Sequence, residues 1–158
     1  MFCYQCEQTA KGSGCTVAGV CGKDSVTAGL QDLLVYAAKG VALYANKARG
    51  LGVVDRETDV FVIEALFTTV TNVDFDPQRL VGWLKRAREA RARIQGLYEA
   101  ACRKQGVAVP QFNGATTWEP ASDLAGLSTQ AEAVSVSANR ALAGDDLAGL
   151  AQLVLFGL

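Results

Sequence analysis

The sequence predicts an all-α fold. Apolar residues recur at three- and four-residue spacing through most of the chain, cap residues and glycines punctuate those stretches, and no segment alternates as a strand would. The 158 residues are half hydrophobic, with 15 Lys+Arg against 16 Asp+Glu and only three prolines, a composition that suits a folded domain rather than a disordered chain.

The elements follow in order. Residues 1–24 read as a loop without periodicity, in which Gly12, Gly14, Gly19 and Gly22 are interleaved with cysteines. From Ser25, a cap candidate, Leu30, Leu33, Leu34, Ala37, Val41, Tyr44, Ala45 and Ala48 form one helical stripe that Gly50 or Gly52 can close. Asp55 offers a cap for a second helix through Phe61, Ile63, Leu66, Phe67 and Val70 to about Asn72. Asp76-Pro77 starts a third, which Leu80, Trp83, Leu84, Ala87, Ile94, Leu97, Tyr98 and Ala101 carry to about Lys104, before Gly106. Short links between the three predict an antiparallel three-helix bundle over 25–105. Residues 106–144 read as an irregular connection, with Pro110, Asn113, Gly114 and Pro120, followed by weak helix around Ser128–Ala143.

Asp145-Asp146 opens a last helix over 145–158 that becomes wholly apolar and has no closing cap. Ala148–Phe156 lines up with Ala28–Tyr36, identical at Ala, Gly, Leu and Leu and similar at three further positions. The expectation is a repeated unit whose second copy has only begun, so that the chain is the front part of a longer protein.

Absences bound the chemistry. Without histidine there is no Ser-His-Asp or Cys-His nucleophile and no imidazole-ligated metal. A net charge of −1 gives no field for nucleic acid or an acidic membrane surface. No apolar run reaches the roughly 20 residues of a membrane span, and Met1–Cys6 has neither the basic start nor the apolar run of an export signal. An odd cysteine count then predicts reduced thiols in the cytoplasm.

Four of the five cysteines lie in the first 21 residues. Cys3, Cys6, Cys15 and Cys21 have the form C-x2-C-x8-C-x5-C. Two thiolates three residues apart can grip one metal centre from a turn, and the later pair must fold back over it. Thiolate suits an iron–sulfur cluster or zinc, and a four-thiolate zinc module that mediates assembly is the competing reading. The five-residue gap between the last two cysteines departs from the closer grips of zinc folds. Phe2 and Tyr4 are candidate shields against water, and Cys102 reads as a buried helix residue.

The segments Met1–Ala10, Gly14–Val17 and Gly19–Lys23 resemble the opening of the hybrid cluster proteins, also called prismane proteins or hydroxylamine reductases. Leu30–Leu34, Lys39-Gly40 and Thr69–Val73 match as well. The resemblance implies that Cys3, Cys6, Cys15 and Cys21 bind a [4Fe-4S] cluster, or [2Fe-2S] in wider-spaced members, and that the helical domain is a repeat of two three-helix bundles. It further implies reduction of hydroxylamine to ammonia, with nitric oxide reduction also proposed, at a separate hybrid iron–sulfur–oxygen cluster held by later cysteine, histidine and glutamate residues. This chain lacks those ligands, so no catalytic residue carries over; the expected partners are the catalytic domains of a longer polypeptide and a redox donor protein.

Lys85, Arg86, Arg88, Arg91 and Arg93 are expected to spread over a solvated helix face, with Glu89 nearby. Asp32 and Glu64 sit within apolar helices as candidates for burial, without a visible acid–base partner. The glycines do not form a phosphate loop, and Trp83 and Trp118 read as core and loop packing.

Overall fold

The computed structural model describes residues 3, 6, 14–70 and 72–157, with side chains through 155. Phe2, Tyr4 and Gly12 lie outside the described residues. The fold is all-α: α1 (Ser25–Gly50), α2 (Arg56–Thr68), α3 (Pro77–Gln105), α4 (Leu124–Val134), α5 (Val136–Ala143) and α6 (Asp145–Gly157), with a 3₁₀ turn at Gly114–Thr116 and no strand among the described residues.

Capping chemistry sets the helix boundaries. The Asp24 carboxylate, one residue ahead of the expected Ser25, accepts the Thr27 N–H at 2.6 Å and starts α1. Gly52, at φ 77°, donates its N–H to the Arg49 carbonyl and closes it. Asp55 and Asp76 cap α2 and α3 as expected, with Pro77 in the first turn of α3 and Gly106 left-handed at its end. Helix α2 stops at Thr68, short of the expected Asn72, which instead takes a positive φ of 64° in the turn toward α3.

The face α2 turns inward is also narrower than expected. Thr58, Phe61, Ala65 and Thr68 are buried, whereas Ile63 and Phe67 are 67% and 63% exposed. Burial of the two threonines is tolerated because Thr58 Oγ1 donates to Asp55 and Thr68 Oγ1 to the Glu64 carbonyl. The weak helix around Ser128–Ala143 begins earlier and is broken. Asp123 captures the Gly126 N–H to start α4, and Ser135 adopts an extended ψ of 158° while its hydroxyl accepts from the Ala138 N–H to start α5.

Helix α1 is the centre of the core and meets α2, α3, α4 and the 3₁₀ turn. Its first half lies near the start of α3 through Gln31 and Asp74, and its end near the end of α3 through Leu51 and Gln105, so the two run parallel. Asp55 with Arg93 and Glu64 with Arg86 give α2 the opposite direction to α3. Leu30, Leu33, Leu34, Val41, Leu80, Leu84 and Ile94 fill the interior, and Tyr44, Tyr98 and Phe112 pack ring against ring at one end. Gly40 lets the 3₁₀ turn lie against α1, since a Cβ there would come within 2.2 Å of the Ala115 carbonyl oxygen. Among the described residues no helix is long and apolar enough to cross a membrane.

Candidate metal centre

The cysteine loop enters α1 at its first turn. The Cys15 N–H donates to the Cys3 carbonyl at 2.6 Å in an isolated antiparallel bridge, which sets two of the candidate ligands side by side across twelve residues of sequence. Cys15 is buried; Cys3, Cys6 and Cys21 are half-buried. Gly14, at φ 85°, turns the chain just ahead of Cys15.

Cys21 sits in a tight turn. The Gly22 N–H donates to the Gly19 carbonyl and the Gly19 N–H to the Lys23 carbonyl, both at 2.9 Å. Gly22 takes φ 90°, and a Cβ on Gly19 would approach the Lys23 carbonyl oxygen to 2.7 Å, so both positions of this turn require glycine.

Below the turn runs a buried polar chain. Lys23 is 2% exposed and its Nζ donates to Gln31 Oε1 at 2.6 Å. Gln31 Nε2 then donates to the Asp74 carbonyl at 2.8 Å, and Lys23 Nζ stands 5.8 Å from the Phe75 ring centroid. Asp74 Oδ1 accepts the Asp76 N–H at the entry to α3. Sequence reasoning gave these residues no role. The available signal was Gln31, a polar residue inside the apolar stripe of α1.

No three cysteine, aspartate or glutamate side chains among the described residues form a group that could hold one ion. The donor set nevertheless fits an iron–sulfur group in its chemistry. It is four soft thiols within 21 residues, none spent in a disulfide, with two drawn together by the backbone. Closing ligands around a metal is coupled to binding it; the bridge and the glycine turn are the chain's own contribution.

The remaining candidates divide. Asp32 is half-buried and its Oδ2 accepts the Val136 N–H of α5 at 3.4 Å. Burial raises its pKa to about 6, against the opposing pull of Val136 and of the Lys23 and Lys39 charges. A groove of about 330 Å³ beside it is lined by residues including Ser25, Gly29, Glu132 and Ser135. Glu64, by contrast, is exposed and pairs with Arg86. Cys102 is fully buried beside Tyr98, as expected of a small core residue. The half-buried Trp83 carries the Arg86 guanidinium 4.0 Å from its ring centroid.

The basic run on α3 is only partly a solvated face. Arg88 pairs with Glu119, and Arg93 with Asp55 and Glu57, from exposed positions. Arg91 is buried instead, donating to the Trp118 carbonyl and to Glu119, because its position on α3 faces the connecting segment after Gly106. Arg88 and Arg91 thus tie that segment to α3, while Arg86 and Arg93 pair with residues of α2 and its cap.

Residues 1–158 match the model of the Prismane/CO dehydrogenase family. The whole chain is 51% identical to a hydroxylamine reductase of Burkholderia ambifaria, 48% to one of Geobacter metallireducens and 47% to one of Rhodospirillum rubrum. It covers 29% of the length of each of these relatives. On the match along its entire length, the chain belongs to the Prismane/CO dehydrogenase family.

Proposed function

We propose that this chain is the amino-terminal electron-transfer portion of a hydroxylamine reductase-like protein, with Cys3, Cys6, Cys15 and Cys21 as the ligands of a [4Fe-4S] cluster. The observation that carries the reading is the four-cysteine loop itself, seated on α1 with Cys15 bridged to Cys3 and Cys21 held in a glycine turn. The full-length match to proteins named hydroxylamine reductase supports the reaction class. When bound, such a group supplies one-electron transfer.

The chain's own residues would hold it and limit access to it. Cys15, buried where the other three are half-buried, would be the ligand best shielded from water. The division of labour follows the expected segments: a cluster loop over 1–24, a helical body over 25–105, a connection over 106–144 and a further helical unit from 145. Reduction of hydroxylamine or nitric oxide belongs to a hybrid iron–sulfur–oxygen centre outside these residues, since the chain has no histidine to contribute. The working partners are those catalytic domains and a redox donor protein, in the cytoplasm, with no part for nucleic acid or membrane.

The test is visible absorption of the anaerobically prepared chain beside its four single Cys→Ser variants. The reading predicts a brown chromophore that dithionite bleaches and that each substitution diminishes. A Cys15→Ser variant with an undiminished chromophore would overturn the ligand set.

A further inference from the structure

We propose that Lys23 is a positioning residue for Cys21: its buried ammonium fastens the turn carrying that cysteine to the helical body through Gln31. The inference rests on the reading of the four cysteines as cluster ligands.

Lysine is almost never fully buried, because removing its charge from water is costly, yet Lys23 is 2% exposed. A methionine or leucine would fill the same space without that cost. What the ammonium adds is direction. It donates at 2.6 Å to Gln31, itself 2% exposed, and Gln31 donates onward at 2.8 Å to the Asp74 carbonyl. The cysteine loop, α1 and the link between α2 and α3 thus meet through two side chains.

The backbone of Lys23 completes the device. Its carbonyl accepts the Gly19 N–H, and the Gly22 N–H returns to the Gly19 carbonyl, so the residue that anchors the turn also closes it. Cys21 lies between the two glycines, with little freedom left to its backbone. One residue further on, Asp24 caps α1. Movement of the turn relative to α1 would break the Lys23–Gln31 bond, so the bond sets where the Cys21 sulfur can go.

The experiment compares the anaerobically reconstituted chain with Lys23→Met, Gln31→Leu, the double variant and Leu84→Ala, a core substitution on α3. Three quantities are read: iron content, the rate at which a chelator bleaches the chromophore, and the electron paramagnetic resonance spectrum of the reduced form. Lys23→Met and Gln31→Leu should each bleach about tenfold faster, the scale of a lost charged hydrogen bond, with altered spectra. The double variant should be little worse than either single one. Leu84→Ala should lower the thermal midpoint yet keep the parent bleaching rate and spectrum.

Bleaching of Lys23→Met at the parent rate with an unaltered spectrum would overturn the proposal. Equally fast bleaching of Leu84→Ala would do so too, by making Lys23 only a contributor to general stability. Should Lys23→Met fail to fold, Gln31→Leu decides on the same comparison. A parent chain that takes up no iron would instead remove the reading of the four cysteines.

Discussion

Helix α1 from Ala28 to Tyr36 and helix α6 from Ala148 to Phe156 share an apolar pattern, identical at four of nine positions, in different surroundings. In α1, Ala28, Leu30, Leu33 and Leu34 are buried, the three leucines completely. In α6, Ala148 is buried, but Leu150, Leu153 and Val154 are 58%, 68% and 61% exposed. Both stretches are helical, so the local pattern is sufficient for the helix. The neighbours differ: α1 is surrounded by α2, α3, α4 and the 3₁₀ turn, while α6 packs chiefly on α5. Periodicity specifies an apolar face, and burial of that face is a property of what packs against it.

The two positions that differ in kind are informative. Gln31 and Asp32 of α1 become Ala151 and Gln152 in α6. In α1 these are the residues that tie the helix to its surroundings, Gln31 to the cysteine loop and Asp32 to the start of α5. The shared residues thus belong to the packing stripe, and the divergent ones to attachments made by α1 alone.

The largest expected effect breaks the comparison at its centre. Leu33→Ala should cost about 2–5 kcal/mol in urea unfolding by leaving a cavity, whereas Leu153→Ala should change stability by less than about 0.5 kcal/mol. Equal losses would show that α6 is buried in this chain. A smaller contrast concerns glycine. Gly40→Ala forces a methyl against the Ala115 carbonyl and should destabilise by roughly 1–3 kcal/mol. Gly149→Ala meets nothing within 4 Å and should stabilise by up to about 1 kcal/mol through helix propensity.

The attachments unique to α1 give a pH signature. Asp32 has its folded pKa raised to about 6 from 3.8, so the folded state binds the extra proton and stability falls as pH rises between those values. Asp32→Asn, which keeps an acceptor for the Val136 N–H, should flatten that fall and be relatively more stabilising at pH 7 than at pH 4. Asp55 behaves oppositely. Hydrogen bonds from Arg93 and Thr58 lower its pKa to about 2, so its contribution is complete above 3.8 and is lost as pH falls through 2. Its Asn variant should therefore lose its disadvantage in acid, a smaller effect because Arg93 is exposed. Thermal melts across pH check both signs.

Much of this was legible in the residues. The stripe on α1, the Asp55 and Asp76-Pro77 starts and the Gly106 stop are local signals, and each sits where its chemistry acts. The outward turn of Ile63 and Phe67 was not legible, because α2 satisfies two buried threonines locally and so can present a face that hydrophobicity alone disfavours. Burial of Arg91 depends on Glu119 and the Trp118 carbonyl, which arrive from a distant segment. At the candidate centre the cysteine spacing offers candidate ligands by their chemistry, while the Lys23–Gln31–Asp74 chain spans residues too far apart for any local pattern to reveal.

The most direct measurement of the central claim is metal and sulfide analysis of the anaerobically purified chain, made with its absorption spectrum. Four thiolates holding a [4Fe-4S] cluster predict about four iron and four acid-labile sulfide per chain, with a broad visible band. Colourless protein carrying one zinc and no sulfide would contradict it.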